Sequence, residues 1–497
     1  MLSKDIVKKD YEKLKRLCIK YYKIKDYEKT LDYAKTLAYF MYNYNLFYKD
    51  EEIEELLQEM SIKLFKKQMV NKKEKTIFFF DYFALDGRGL SLIYLRALIE
   101  LKYKIVFVTY EKNNNSSMKR IKELLETYEN SSIYFIDDTA TSLEQSKHIL
   151  DIIYEECPEK IMLHTAPWDV EALLPLYSLN GICERFMINI TDHAFWLGTK
   201  AIDYSIEFRS YGWNISKRYR NIPQDNIMII PYYPANTSKE FKGFPFELHE
   251  NEKLILSGGS LYKIRGSSEF YNIVQELLKK PNVKFLFLGN GDSTEFKQFI
   301  SKNHLEEKCF LLSERDDLDE VMKRCHFYLS TYPLIGGLMA QYAVANHKIP
   351  LTLAEKNDYF NKVEDLMVNC ETTFTYHSKE ELLEEAERLL NDKAYYEKRC
   401  NETDNLLWNP SEFAKCVEEA LYYHSSSTKP VKMDIDIVAF SDVYLKQSNY
   451  FKHCSILYFT KNKKIICVFM CRFICGFMLM LKRRFSRLIC HFSSKKM

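Results

Sequence analysis

Residues 329–352, LSTYPLIGGLMAQYAVANHKIPLT, contain the pattern that decides the fold predicted for this chain. The apolar residues at 326–330 predict a buried strand, Gly336 and Gly337 predict a turn, and the small residues from 338 to 345 favour a helix. A strand that runs through a glycine turn into a helix N-terminus can hold a phosphate, because the amide groups and the helix dipole attract an anion. An ordinary turn between a strand and a helix has the same pattern, so the rest of the chain must distinguish the two.

The composition indicates a folded intracellular protein of two or three domains. The chain has 497 residues, of which 46% are hydrophobic and 28% are charged, and this balance is typical of globular proteins. Its 71 basic and 69 acidic residues nearly cancel, so the overall charge gives no reason to expect nucleic acid as a partner. The 13 cysteines show no repeated CxxC spacing, and the charged N-terminus lacks an apolar signal core. We therefore expect free thiols in a reducing cytosol, with no disulfide framework and no metal site.

The first half of the chain predicts a helical segment followed by a parallel sheet. Residues 1–74 show apolar residues at three- and four-residue spacing with charged residues between them, which is typical of amphipathic helices. At 76–83 the pattern changes to the apolar run TIFFFDYF, which is followed by DGRG at 86–89 and by an amphipathic helix. Further strand and helix patterns alternate up to residue 232, and they predict a doubly wound, Rossmann-like domain over 75–232.

A second domain of the same type is predicted after a linker. Residues 231–250 hold three of the twelve prolines and show no strong period, and we assign the linker to 233–250. Strand and helix patterns resume over 251–425, where glycines follow the strands in KLILSGGSLYKIRG (253–266) and VKFLFLGNG (283–291). The predicted fold class is therefore α/β, with two Rossmann-like domains that face a cleft and with helices ahead of them.

The tail, residues 426–497, departs from the pattern of the two domains. Its segment 465–481 is strongly apolar but holds Arg472 and is only 17 residues long. A spanning helix normally needs about 20 apolar residues, with about 17 as the lower limit. Basic residues flank the segment on both sides, which predicts a helix lying in the plane of an anionic membrane surface over 461–490. A membrane span and a soluble tail are the alternatives to this cytoplasmic, peripheral attachment at the cytoplasmic face of a membrane.

Candidate functional residues lie where predicted strands end, because ligands of open α/β sheets bind at the carboxyl ends of the strands. In the second domain the candidates are Gly258, Gly259, Ser260, Lys263, Arg265, Gly289, Gly291, Glu314, Arg315, Thr331, Gly336 and Gly337. In the first domain they are Gly87, Arg88, Gly89, His164, Asp192, His193 and Trp196.

Four stretches of this sequence resemble the GT-B glycosyltransferases: DGRGLS, SGGSLYKIRGSSEF, FLFLGNGD and YLSTYPLIGGLMAQYAVANHKIPLT. The resemblance covers about residues 75–425, and it implies that the second domain binds a nucleotide diphosphate sugar while the first domain presents the acceptor. In this family, amides of the glycine turns and a basic residue neutralise the departing diphosphate without a metal ion. Lys263 and Arg265 match the basic position, and Gly336 with Gly337 matches the second phosphate turn. The resemblance thus makes the second-domain candidates the donor site and implies no cofactor beyond the nucleotide-sugar co-substrate.

The last glycine turn also argues against one large subgroup of this family. Many retaining members carry two glutamates that flank this turn, but here no Asp or Glu occurs between Glu320 and Glu355. The TYP tripeptide, the glycine pair and the small-residue helix are more similar to the inverting branch that includes O-GlcNAc transferase. An inverting reaction needs a base at the acceptor hydroxyl. We expect His193 to accept the proton, with Asp192 orienting or replacing it, and His164 is the second candidate.

The sequence therefore predicts a metal-independent, inverting glycosyltransferase of the hexosyl- or N-acetylhexosaminyl-transferase class. Its acceptor would be a glycan, a lipid-linked molecule or a protein, held through Gly87, Arg88, Gly89, His164 and Trp196. A nucleotide-sugar epimerase of the same fold is one alternative, against which the membrane-associating tail argues. A non-catalytic binding protein with the same fold is another, which the missing glutamates leave open. The ring of Trp196 is expected either to stack on a sugar or to pack in the core.

Overall fold

The structure is a computed structural model that describes residues 3–68, 71–86, 90–235, 239–426 and 428–451, with side chains described up to residue 445. Two sets of sequence predictions lie outside these residues: the membrane-associating segment 461–490 and the acceptor-side residues Gly87, Arg88 and Gly89. Within the described residues, no helix is both long enough and apolar enough to cross a membrane.

Three helices form a layer at the N-terminus, as the spacing of apolar residues predicts. They are α1 Lys4–Lys23, α2 Tyr27–Tyr44 and α3 Glu51–Leu64. Ser3, Asp26 and Asp50 cap them, because each side chain accepts a hydrogen bond from an amide in the first turn of its helix. The apolar faces of the three helices join one hydrophobic core with the neighbouring face of the first sheet.

The first Rossmann-like domain is built on a parallel sheet. Its strands in the part of the chain that the structure describes are β1 Lys73–Asp81, β2 Lys104–Tyr110, β3 Ser131–Ile136, β4 Pro158–His164, β5 Glu184–Ile188, β6 Tyr204–Glu207 and β7 Ile227–Ile229. The order is β3-β2-β1-β4-β5-β6-β7, and all neighbours are parallel. The connecting helices are α4 Leu90–Glu100, α5 Lys119–Glu126, α6 Ser142–Glu156, α7 Val170–Tyr177 and α8 Ser210–Tyr219.

The central strand β1 shows why this sheet is buried on both faces. Phe78 and Phe80 pack into the core shared with the N-terminal helices, whereas Ile77 and Phe79 pack into a second core on the opposite face. All four side chains are fully buried. A parallel strand covered on both sides is expected to be apolar at every position, which explains the continuous run TIFFF.

The second Rossmann-like domain repeats this architecture. Its strands, again within the described ranges, are β8 Lys253–Gly258, β9 Val283–Leu288, β10 Cys309–Leu312, β11 Phe327–Leu329, β12 Pro350–Leu353 and β13 Thr375–Tyr376. The order is β10-β9-β8-β11-β12-β13, again parallel throughout. The helices are α9 Ser268–Leu278, α10 Thr294–Lys302, α11 Leu318–Arg324, α12 Gly337–Ala345, α13 Lys379–Asn391 and α14 Lys393–Asn401. The two sheets confirm the predicted fold class.

The end of the described chain returns to the first domain. Helix α15, Pro410–Tyr423, packs on α4, where the rings of Phe413 and Tyr94 lie 5.1 Å apart. The sequence places the boundary of the tail at residue 426, but the structure packs the beginning of that tail on the body. Residues 431–433 bond to Asn214 of α8, and helix α16, Ile437–Phe451, follows.

Candidate active site

The glycine turns of the second domain meet at the point where the strand order of its sheet reverses. This point lies between β8 and β11, which is where doubly wound sheets bind their ligands. Gly259 follows β8 with a φ of +127°, a conformation that favours glycine. A Cβ at Gly289 would lie 1.8 Å from the carbonyl oxygen of Gly259, so the turns after β8 and β9 approach too closely for a side chain. The turns thus form a bare backbone surface at the predicted donor site.

Lys263 lies beside the last glycine turn. Its Nζ donates a hydrogen bond to the carbonyl oxygen of Ile335 at 2.7 Å, directly before Gly336 and Gly337. Helix α12 begins at Gly337, and the first amides of any helix have no acceptor within the helix. An ammonium group and a helix N-terminus therefore lie at the same place, and both favour a bound diphosphate.

The turn that carries these amides is braced by a residue that the sequence did not single out. Asn361 accepts a hydrogen bond from the amide of Ile335 at 2.8 Å and donates one to the carbonyl oxygen of Pro333 at 2.8 Å. Thr331, a predicted donor residue, is buried, and its hydroxyl donates to the carbonyl oxygen of Leu334 at 2.7 Å. The structure therefore gives Thr331 a role in shaping the turn.

The other polar donor candidates make contacts within the second domain. Arg265 is buried, and its Nη2 lies 2.7 Å from Oδ2 of Asp292, next to the turn after β9. Glu314 accepts a hydrogen bond from Asn290 at 2.8 Å. Arg315 pairs with Asp317 and donates to the carbonyl oxygen of Gly243 in the linker at 2.7 Å. The remaining candidate, Ser260, begins the short helical turn that contains Lys263.

Replacing Arg265 with alanine is expected to destabilise the protein. Removing one member of a buried ion pair leaves the other charge uncompensated, which typically costs about 3 kcal/mol. Urea denaturation followed by circular dichroism should show a lower midpoint for Arg265→Ala, while Lys263→Ala keeps the wild-type midpoint. If Arg265→Ala instead kept its stability and lost donor affinity, Arg265 would be a direct ligand of the donor rather than a brace.

Asp192 and His193 follow β5 in the first domain and lie at its contact with the second domain. The Nδ1 atom of His193 lies 3.2 Å from one carboxylate oxygen of Asp192, and Nε of Arg209 donates to the other at 2.6 Å. Burial alone would raise the pKa of Asp192, but the charge of Arg209 and the hydrogen bonds from Arg209 and His193 together outweigh burial and lower the pKa to about 2. Asp192 is therefore an anion at any working pH, which favours the role of orienting His193 over that of accepting a proton.

The imidazole of His193 is partly accessible and is flanked by aromatic rings. Its side chain is 23% exposed, and the ring centroids of Phe360 and Tyr444 lie 5.3 and 5.8 Å away. Phe360 belongs to the second domain and Tyr444 to α16. Arg209 also donates to the carbonyl oxygen of Phe360 at 2.8 Å, so the same arginine joins the carboxylate to the second domain.

Residues far away in the sequence fix the loop that carries this pair. Nη2 of Arg220 donates to three carbonyl oxygens of the loop, those of residues 191, 192 and 194, at 2.9, 3.1 and 2.6 Å. Asn45, which ends α2, donates to the carbonyl oxygen of His193 at 2.7 Å and accepts from the amide of Phe195 at 3.0 Å. Buried Glu54 of α3 accepts from the amide of Gly198 at 2.7 Å. The N-terminal helices thus position the candidate base.

A second carboxylate joins the two domains beside this pair. Asp365 of the second domain accepts hydrogen bonds from the amides of Ser210 and Tyr211, at 3.0 and 2.8 Å, at the start of α8. Burial raises the pKa of Asp365 to about 6, although the charge of Arg209 acts in the opposite direction. The carboxylate serves as the cap that the first turn of α8 needs.

Two of the predicted acceptor-side residues, His164 and Trp196, lie in different surroundings. His164 ends β4, and its Nδ1 lies 2.8 Å from a carboxylate oxygen of buried Asp81, to which Ser91 also donates. Burial opposes ionisation of Asp81, yet the charge of His164 lowers the pKa of this carboxyl. Trp196 is only 3% exposed and packs against the guanidinium of Arg220, 5.0 Å from its ring. Trp196 is therefore a core residue and does not offer its ring to a sugar.

Comparisons with known proteins place this arrangement in a fold class. No protein-family model matches the chain, and no curated protein matches its sequence. Solved structures do match: a point mutant of Thermobaculum terrenum O-GlcNAc transferase aligns at 12% identity and a TM-score of 0.50, over 89% of this chain and 85% of that one. Anabaena HepE in complex with UDP and glucose aligns at 14% identity and a TM-score of 0.53, over 70% of this chain and 99% of that one. A glycosyltransferase from Rickettsia africae aligns at 13% identity and a TM-score of 0.50, over 70% and 97%.

The chain therefore has the GT-B fold, as its sequence predicts. The Thermobaculum and Rickettsia proteins are named as glycosyltransferases. The HepE structure contains UDP and glucose. At identities of 12 to 14%, the likeness shows the fold alone.

Proposed function

We propose that this chain is a glycosyltransferase that uses a nucleotide diphosphate sugar as its donor. The observation that carries the proposal is the position of the Lys263 ammonium, whose Nζ lies 2.7 Å from the carbonyl oxygen of Ile335, at the glycine turn before α12. A leaving diphosphate develops negative charge, and catalysis requires cations and amide groups fixed where that charge forms. The UDP complex of HepE, which shares this fold, supports the choice of donor class.

His193 is the proposed general base, and Asp192 orients it. A neutral imidazole whose Nδ1–H donates to Asp192 has its basic lone pair on Nε2. Nε2 accepts the proton of the acceptor hydroxyl as the hydroxyl oxygen attacks the anomeric carbon. The bond from that carbon to the diphosphate oxygen breaks on the opposite face, and the configuration at the carbon is inverted. Lys263 and the amides of the glycine turns stabilise the departing diphosphate, so the reaction is proposed to need no metal ion.

The acceptor is proposed to be a glycan, a lipid-linked molecule or a protein at the cytoplasmic face of a membrane. The support is the sequence of the tail, in which the apolar run 465–481 is flanked by basic residues. His164 stays the proposed acceptor-side residue. Asp81 fixes it where β4 and β1 end, and because only 3% of His164 is exposed, contact with an acceptor requires the residues above it to move. Nucleic acid is not proposed as a partner.

A panel of nucleotide sugars and nucleotides, read by thermal shift, tests this proposal. One nucleoside diphosphate and its sugar conjugate should raise Tm by several degrees, because a ligand at 100 times its Kd stabilises the native state by about 2.7 kcal/mol. The matching nucleoside without phosphates is the control and should cause little change. NMR of the product should then show an inverted anomeric configuration.

Other results of the same panel would contradict the proposal in distinct ways. A folded protein whose Tm responds to no nucleotide would instead be a binding protein with another ligand. Epimerised donor sugar formed without any acceptor would identify an epimerase. Retention of configuration in the product would leave the donor site in place and exclude His193 as the base of a single displacement.

A further inference from the structure

Positive charge is concentrated in two parts of the chain. Helix α1, Lys4–Lys23, holds eight Lys and Arg against three Asp and Glu, and residues 452–497 hold eleven Lys and Arg and no acid. All other residues together hold 52 basic and 66 acidic side chains. A nearly neutral protein is therefore divided into an acidic body and two basic segments.

The positive charge of α1 lies on the face that points away from the protein. Apolar residues on its inner face, such as Val7, Tyr11 and Leu14, are buried against α2 and α3. The basic residues on its outer, exposed face are Lys8, Lys9, Lys13, Arg16 and Lys20. These five cations share the exposed side of α1 with two acids, Asp5 and Glu12, so this side carries an excess of three positive charges.

Exposed apolar side chains accompany this surface where α1 meets α16. Ile6 is 41% exposed on α1, and Val438 and Val443 are 61% and 42% exposed on α16. Nζ of Lys4 lies 2.7 Å from Oδ1 of Asp442, which ties the two helices together. Helix α16 is also the element that leads into the basic and apolar tail, so the folded surface and the tail are continuous along the chain.

We infer that this α1–α16 face, with Lys8, Lys9, Lys13, Ile6 and Val438 at its centre, docks on an anionic membrane surface. Lysines within reach of anionic headgroups are attracted to them, and exposed apolar side chains beside the lysines enter the boundary between headgroups and acyl chains. The same anionic surface repels the acidic remainder of the protein, so that part of the protein faces away from the membrane. The inference rests on the membrane attachment proposed for the tail, and it gives that attachment a fixed orientation.

Vesicle sedimentation with the full-length chain tests the inference. Lys8→Gln, Lys9→Gln and Lys13→Gln together should weaken partitioning onto vesicles of phosphatidylcholine with phosphatidylserine by roughly a hundredfold, since each lysine near such a surface contributes about fivefold. The matched control is Lys119→Gln, Lys122→Gln and Lys147→Gln, which removes the same charge from exposed sites of the first domain and should leave partitioning within about twofold of the wild type.

A labelling experiment keeps the test independent of the tail. In wild-type protein bound to vesicles, Lys8, Lys9 and Lys13 should become protected from an amine-reactive reagent, whereas Lys119, Lys122 and Lys147 should stay reactive. Equal partitioning of both triple variants, with unprotected α1 lysines, would show attachment by the tail alone and overturn the inference. Binding of RNA in preference to the vesicles, lost in the α1 variant, would overturn it as well. Nucleotide-induced thermal shifts of the same variants report separately on the proposed donor site.

Discussion

Lys263→Ala is expected to lower kcat by about 100- to 1,000-fold, because one fixed donor to a developing anion contributes on the order of 3 kcal/mol. The Nζ of Lys263 is held against the turn before α12 by the carbonyl oxygen of Ile335, so its charge is in place before the donor binds. Removing it leaves the amides of Gly336 and Gly337 as the remaining partners proposed for the diphosphate. Initial rates at saturating donor and acceptor, with donor affinity from calorimetry, measure the loss.

Two control variants separate the charge of Lys263 from its contact with the turn. Lys263→Arg keeps a cation and should recover part of the rate. Lys356→Ala removes an exposed lysine of the same domain and should leave the rate within about twofold. The turn itself should persist in Lys263→Ala, because Asn361 bonds to both Pro333 and Ile335. Unchanged turnover and unchanged donor affinity in Lys263→Ala would place the diphosphate elsewhere.

The glycine turns of the second domain could be predicted from the sequence because local backbone geometry requires glycine there. Gly289 is necessary because a Cβ there would collide with the carbonyl oxygen of Gly259. Since the chain is otherwise poor in glycine, a glycine that directly follows a strand pattern is conspicuous in the sequence. The alternation of apolar strands and amphipathic helices likewise predicts both sheets. The two-residue strand β13 and the short helices α5 and α14 are too brief to show a period, and they were not predicted.

The residues that fix the site could not be predicted, because their roles arise from contacts between distant parts of the chain. In the sequence, Asn45 and Glu54 are indistinguishable from other polar residues of amphipathic helices. Only the structure shows that they form hydrogen bonds with the loop at 192–198. Arg220 gives no local signal either, so the sequence leaves open whether Trp196 stacks on a sugar or packs in the core, and only the contact with Arg220 distinguishes the two. A polar residue on a helix is usually solvated, so only the tertiary structure distinguishes the few that are buried and bonded.

The continuation of the chain beyond residue 425 shows the same limit. The serine-rich start at 426 resembles a linker, yet Met433 and Ile435 are buried in the core of the second domain. Tyr444 then reaches the ring of His193, at 5.8 Å between ring centroids. Segments with only a few buried side chains lack a period long enough to read, although those few contacts are enough to fix them in place.

His193→Ala is expected to reduce kcat by about 100- to 10,000-fold, the range that general-base catalysis provides. Donor affinity should change little, because the imidazole lies in the first domain beside Asp192, whereas the glycine turns belong to the second domain. Single-turnover rates with saturating donor separate the chemical step from binding.

The pH dependence of kcat/KM gives the second readout of the same role. A base must be neutral to accept a proton, so the wild-type rate should fall as the pH decreases through the titration of the imidazole, and this acidic limb should vanish in His193→Ala. Asp192 adds no limb above about pH 3, because its pKa of about 2 keeps it ionised throughout. Asp192→Asn should keep an acidic limb but move it and lower the rate, since the imidazole loses the anion that orients it.

The control for both variants is a histidine that belongs to the second domain. His347, exposed and paired with Asp404 at 2.7 Å, has the same type of contact just after the end of α12. His347→Ala should retain both the rate and the pH profile of the wild type. If His193→Ala kept its acidic limb and more than about a tenth of the wild-type rate, His193 would not be the base. His164 would then be the next candidate, because within the described residues its contact with Asp81 is the other histidine–aspartate pair at the strand ends of the first sheet.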